Sequence, residues 1–310
     1  MSPTSGRRKV APSGQQFEIA FETQRAVVVE VGAGLRTYSV GGNDVLDGYG
    51  VEERCSSGRG QLLIPWPNRI EDGQYDFDGK HHQLPLTEPG LGNAIHGLVR
   101  WAAWDVAHHE AARVVMEHVI HSQPGYPFTL ALSVEYGLSE GGLSVRTTAT
   151  NVGSDACPYG AGAHPYLTLG TATIDSLVLR APVGRVLGHD ERDLPTGSEP
   201  VDGTEYDFRR ARPIGDMRLD NAFTDLERDA DGRARVSLAD PATGRELTVW
   251  VDEHYPYLML FTGDPLPDVN RRALAVEPMT CPPNAFRTGD SVIRLAPGES
   301  AAGAWGIAPH

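Results

Sequence analysis

The chain has 310 residues, 40% of them hydrophobic and 22% charged, a balance that fits a globular protein and argues against a disordered or membrane-embedded one. A formal net charge of -14 argues against a nucleic-acid partner, because phosphate backbones are held by clustered Lys and Arg. No apolar run approaches the roughly 18 residues of a membrane helix, so no membrane partner is expected either.

Residues 1–15 are polar, basic and rich in Ser, Pro and Gly, and read as a disordered tail ahead of a single domain over residues 16–310. The N-terminus MSPTSGRRKVAPSGQQ lacks the apolar stretch of a signal peptide, so a cytoplasmic location is expected. Cys55, Cys157 and Cys281 are far apart and show no CxxC spacing, which points to reduced, buried thiols.

Beyond the tail the periodicity is that of strands. Leu63-Ile-Pro-Trp-Pro-Asn-Arg69 is the first segment too rich in Pro, aromatic and polar side chains to be ordinary strand, and Arg69 reads either as a surface residue after this loop or as a ligand-holding cation. Gln74 to Gln83 reads as a hairpin, because Tyr75 and Phe77 alternate before Asp78-Gly79, a dipeptide suited to a two-residue turn of positive φ. Asn93-Ala-Ile-His-Gly-Leu-Val-Arg100 is a second unusual segment, in which His96 either caps the Gly97 turn or faces a ligand.

Leu130, Leu132, Val134 and Tyr136 alternate with small or polar residues, a Gly141-Gly142 turn follows, and Leu143, Val145 and Thr147 return as the partner strand. Gly160-Ala-Gly-Ala-His-Pro-Tyr166 places His164 before a proline that confines it to extended geometry, where a lone histidine is more often structural than catalytic. Asp220, in Leu219-Asp-Asn-Ala-Phe-Thr-Asp225, reads by default as a turn former. Val236 and Leu238 precede a turn at Pro241 to Gly244, and Leu247, Val249 and Val251 complete a third hairpin.

Strand-like runs continue over Tyr257 to Thr262, Ala273 to Val276 and Ser291 to Leu295. Glu277 ends the second of these, before Pro278, so a carboxylate stands at the end of an apolar strand and needs a partner or a substrate. No amphipathic helix longer than about three turns is legible. The class that satisfies these elements is all-β, a large antiparallel β-sandwich. The doublets His81-His82 and His108-His109 lack ligand spacing, so no metal is expected, and no nucleotide-binding spacing suggests any other cofactor.

In combination and order, these segments resemble the aldose 1-epimerase (galactose mutarotase) family. The landmarks run from Gly32-Ala-Gly-Leu-Arg-Thr-Tyr38 through Pro65-Trp-Pro-Asn-Arg69, His96-Gly97, His164-Pro-Tyr166 and Asp220-Asn-Ala-Phe223 to Glu277-Pro278. Leu62 to Ile70, Asn93 to Leu98 and Glu277 to Phe286 look most like a bacterial aldose 1-epimerase-like branch that includes a sulfoquinovose mutarotase; Pro165 departs from galactose mutarotases, which commonly carry Ser there. The resemblance implies a β-sandwich with a sugar groove, Glu277 as catalytic base, His164 as catalytic acid, and Arg69, His96 and Asp220 on the sugar hydroxyls.

Anomer exchange opens a cyclic hemiacetal, turns the C1 carbonyl and recloses the ring, for which one base and one acid suffice. A carboxylate beside His164 is expected to raise the imidazole pKa and keep the acid charged. The expected substrate is a free aldohexose, met as a monomer or homodimer. A sugar with an anion at C6 is the alternative, with Arg100 and Arg287 as candidate anion holders. Trp66, Trp250, Tyr166 and Phe286 are available to pack on a pyranose or to fill the core. Two rival readings are a non-catalytic carbohydrate-binding module and a glycoside hydrolase, the latter needing a second carboxylate that only Asp220 could supply.

Overall fold

The computed structural model of the chain describes residues 10–310. Its centre is the hairpin of Leu130–Ser139 and Gly142–Asn151, paired without a break from Leu130 opposite Asn151 to Ser139 opposite Gly142. In Leu130–Ser139 every second residue is buried, so one face packs inward and the other meets solvent, the outcome that alternation demands.

Around this hairpin runs a nine-stranded antiparallel sheet. Its order is Asp105–Glu110, Arg113–Ile120, Leu130–Ser139, Gly142–Asn151, Ser300–Pro309, Glu246–Val251, Ala234–Ala239, Val178–Arg180 and Arg212–Pro213. A second, eight-stranded sheet contains Pro195–Pro200, Arg185–His189, Asp220–Thr224, Tyr257–Phe261, Leu274–Met279, Gly162–Ala163 and Leu62–Leu63, with Tyr166–Leu167 also pairing to Leu274–Met279. A four-stranded sheet, Gln16–Phe21, Gln24–Val29, Leu35–Val40 and Asn43–Asp44, adds Phe17, Ile19, Val28 and Tyr38 to the same apolar core that Leu130, Val134, Val249 and Val276 fill. Burial of this apolar surface is the principal force holding the layers together.

Leu274–Met279 is buried at all six positions, which is why Leu274-Ala275-Val276 shows no alternation in the sequence. The Gln74–Phe77 and Lys80–Gln83 hairpin turns through Asp78 and Gly79 at φ 49° and 73°, and Ala234–Ala239 pairs with Glu246–Val251 as expected. The helix Ala285–Thr288 is a single turn. Cys55, Cys157 and Cys281 are free and buried.

The expected tail needs correction at its inner end. Residues 1–9 lie outside the described residues, but the Ser13 and Gln15 carbonyls already accept hydrogen bonds from Val31 (3.1 Å) and Glu30 (2.9 Å). Among the described residues no helix is long and apolar enough to cross a membrane.

Candidate active site

Asp220–Thr224 and Leu274–Met279 flank Tyr257–Phe261 on either side, with Phe261 opposite Asp220 and Met259 opposite Glu277. The pleat therefore brings Asp220 and Glu277 to one region of the sheet, although 57 positions separate their numbers. His164 sits between Gly162–Ala163 and Tyr166–Leu167, the latter pair bonded to Leu274–Met279. Arg69 and His96 come from a separate two-stranded ribbon, Arg69–Glu71 with Asn93–Ile95. All five side chains line one cavity of about 460 Å³, a volume in the range of small-ligand sites.

His164 Nε2 lies 3.3 Å from Glu277 Oε1, and both side chains are almost wholly buried. Glu277 Oε2 and His164 Nδ1 are buried with no partner among the described residues. The His164 ring stacks on Tyr166, with centroids 4.9 Å apart and planes 14° apart, and meets His96 edge-on at 5.5 Å. Gly58 leaves room for it, since a Cβ there would stand 2.7 Å from His164 Cδ2.

His96 is fixed by a reciprocal backbone contact. The Asn68 N–H donates to His96 Nδ1 at 3.2 Å, and the His96 N–H donates to the Asn68 carbonyl at 2.9 Å. Nδ1 is thus an acceptor, and in the neutral ring the proton sits on Nε2. Both residues adopt left-handed φ, 55° for Asn68 and 62° for His96, a sparsely populated region for residues with a Cβ. Gly97 follows because a Cβ there would lie 2.0 Å from the Ile64 carbonyl oxygen.

Arg69 is clamped rather than free. Its Nε and Nη2 donate to Glu88 at 2.8 and 2.9 Å, and Nη2 also reaches Asp193 at 3.1 Å. Asn68, Glu88 and Asp193 are among the cavity residues that sequence reasoning did not single out, as are Arg54 and Trp101.

Burial dominates the electrostatics. It pushes Glu277 well above the usual carboxylate range, helped by the nearby Asp220 charge and opposed by Arg69. Asp220 is pushed up to about 6 by burial, with Arg69 pulling the other way. His96 is held well below its usual value by burial and by Arg100, His164 and Arg69. His164 is lowered to about 3, first by burial and then by the Arg100 charge. The expectation that the adjacent carboxylate would raise the His164 pKa is therefore corrected: loss of hydration, helped by the Arg100 charge, drives the imidazole down while burial drives Glu277 up, so burial favours the neutral form of each.

Of the two arginines considered as anion holders, Arg100 lines the cavity, and Arg287 does not. Arg287 pairs with Glu71 at 3.0 Å instead. Of the four aromatic candidates only Tyr166 lines the cavity, because Trp66 and Phe286 pack on each other beside Tyr75, and Trp250 lies under Arg233. The histidine doublets are engaged separately, His81 with Asp76, His82 stacked on Tyr75, His108 with Glu110 and His109 on the Glu18 carbonyl.

Comparison with known proteins gives a consistent result. The aldose 1-epimerase family model matches residues 15–305. The uncharacterized protein YihR of Escherichia coli (strain K12) is 34% identical over 288 residues, which cover 93% of this chain and 91% of YihR. Among solved structures, a GalM/aldose epimerase homologue from C. elegans superposes with a TM-score of 0.86 at 20% identity, covering 96% of this chain and 98% of that one. Galactose 1-epimerase from Lactobacillus acidophilus NCFM gives 0.80 at 22% identity, covering 94% and 93%. These two share the all-β sandwich architecture with this chain.

Proposed function

Taking as premise that the chain belongs to the aldose 1-epimerase family, we propose that it is a cofactor-independent mutarotase that exchanges the α and β anomers of a free aldohexose. The observation that carries this reading is the 3.3 Å contact of the buried His164 and Glu277 side chains on the wall of a cavity of about 460 Å³.

The chemistry explains why these two must be neighbours. In the proposed step Glu277 takes the proton of the C1 hydroxyl while His164 gives one to the ring oxygen, and the bond between C1 and the ring oxygen breaks. Both oxygens are attached to C1, so a base and an acid serving them have to stand side by side. The open aldehyde then rotates about C1–C2, and the ring recloses with the two roles reversed.

These roles require the shared proton on His164. Sugar hydroxyls that donate to Glu277 stabilise its carboxylate, as does the positive charge of Arg69, and together they move the proton across the contact. His96 donates from Nε2, and Asp220 accepts from a sugar hydroxyl. Arg69, held flat by Glu88 and Asp193, presents its remaining N–H edge.

Polarimetry or NMR exchange on freshly dissolved α-glucose and α-galactose tests the proposal. Binding without accelerated exchange would instead support a non-catalytic carbohydrate-binding protein.

Arg100 favours a second reading. This half-buried guanidinium donates to the Ile95 carbonyl at 3.2 Å and has no ion-pair partner among the described residues. A cation on the cavity wall without a carboxylate partner suits a substrate that brings its own anion, such as a C6-sulfonate or phosphate. The net charge of -14 opposes such a substrate at long range. Comparing kcat/KM for glucose, galactose, glucose 6-phosphate and sulfoquinovose decides between them. A charged sugar favoured by about a hundredfold, roughly 2.7 kcal/mol in transition-state binding, replaces the neutral-sugar reading.

A further inference from the structure

A pyranose has hydroxyls around its rim and C–H groups on its faces, so a complete sugar site supplies both polar groups and a flat apolar surface. The polar groups are Arg69, His96 and Asp220. Inside the cavity the flat surface is already used, because the Tyr166 ring is stacked by His164 and met edge-on by Phe261.

Trp101 stands at the same cavity with its indole 54% exposed, whereas Trp66, Trp104 and Trp305 are at most 3% exposed. A single exposed hydrophobe is ordinary on a protein surface. This one differs in three respects. Its loop is tied down, with Leu98 N–H on the Ile64 carbonyl at 2.7 Å, Ala102 N–H on the Val99 carbonyl at 3.1 Å and Gly32 N–H on the Ala102 carbonyl at 2.8 Å. It directly follows Arg100, which lines the cavity with it. The Arg54 guanidinium, also on the cavity wall, lies 5.8 Å from the indole centroid, within cation–π range.

We propose that Trp101 is the platform on which the sugar ring stacks at the cavity mouth, steadied by Arg54, and so a substrate-binding residue of this site. The inference rests on the epimerase reading for the identity of the ligand as an aldose. The indole covers a C–H face while the polar groups hold the rim, so Trp101 contributes to affinity and leaves the proton transfers at C1 to Glu277 and His164.

Acrylamide quenching of tryptophan emission tests this in the whole protein, with the W101F variant giving the background of the other indoles. Glucose, galactose, glucose 6-phosphate and sulfoquinovose are each added to saturation. At least one is expected to reduce the Trp101-specific quenching constant about twofold, because stacking buries the exposed face. W101A is expected to raise KM about tenfold with kcat little changed, and W101F to recover most of the loss. Quenching unchanged by all four sugars, or wild-type KM in W101A, overturns the platform. Anomer exchange followed in the same samples keeps the two ideas apart. Exchange without protection of Trp101 removes only the platform, and protection without exchange leaves the platform standing while removing the epimerase reading.

Discussion

His164 Nε2 and Glu277 Oε1 are 3.3 Å apart in a part of the molecule from which water is largely shut out, and burial drives the two side chains in opposite directions, the imidazole down and the carboxyl up. A pair of this kind carries one labile proton between two groups that can each give or take it. That is the equipment needed for a reaction whose forward and reverse steps exchange acid and base.

Glu277→Gln and His164→Asn each remove one end of that exchange. Anomer exchange measured by polarimetry is expected to fall by about 10²–10⁴-fold in either variant, the usual worth of a positioned acid or base. The fold should persist in both, and at neutral pH Glu277→Gln is expected to unfold at a higher temperature than the parent, because the unfolded chain ionises Glu277 there whereas burial holds the folded side chain neutral. A near wild-type rate in one variant removes that residue from the mechanism.

Stability should depend on pH through His164. An unfolded histidine binds a proton below about pH 6.5, whereas buried His164 resists until about 3. Between these values the unfolded chain binds more protons, so this residue's contribution lowers stability as the pH falls from 6.5 towards 3. His164→Asn is therefore expected to lose less stability on acidification, by on the order of 1–3 kcal/mol at pH 4 in chemical denaturation. Equal acid sensitivity in both proteins counts against a neutral His164.

Asp220→Asn separates binding from proton affinity. Loss of the proposed hydroxyl acceptor is expected to raise KM about tenfold or more. The Asp220 charge helps to hold the Glu277 pKa up, so its removal should also shift the acid limb of the kcat/KM profile to lower pH. A limb that stays in place shows that the two carboxyls do not sense each other.

Gly58→Ala tests how closely the imidazole is fitted. The new Cβ would stand 2.7 Å from His164 Cδ2 on a backbone at φ 74°. The expected result is a loss of about 1–2 kcal/mol in stability from the backbone alone. A fall in kcat larger than the rise in KM should accompany it, since the ring that moves is the proposed acid. Unchanged kcat means that His164 has slack which the packing does not suggest.

Where one side of a strand meets solvent, the fold was readable. Leu130 to Tyr136 and Val236 to Leu238 alternate because their sheet has a wet face, whereas Leu274–Met279 is buried throughout and offered only an apolar run. The five proposed site residues were reachable only through the ordered combination of segments that resembles the aldose 1-epimerase family, since each segment taken singly left a structural reading open and Asp220 read as a turn former. Glu88 and Asp193 were not, because their task is to hold Arg69 across the fold and their own surroundings read as charged surface. The direction of the His164 shift was also out of reach, since it depends on how much water the assembled walls exclude.

One consequence of the nine-stranded sheet concerns the order in which the chain is made. Ser300–Pro309 lies between Gly142–Asn151 and Glu246–Val251, and among the described residues these two are joined only through it. Until that stretch has left the ribosome, the nascent polypeptide carries two part-sheets, each with a bare edge of unpaired N–H and C=O groups that can recruit a neighbouring chain. The late strand closes both edges at once. The period of greatest exposure to aggregation is therefore the one just before its arrival, and a chaperone that shields those edges would act on translation intermediates more than on the finished protein.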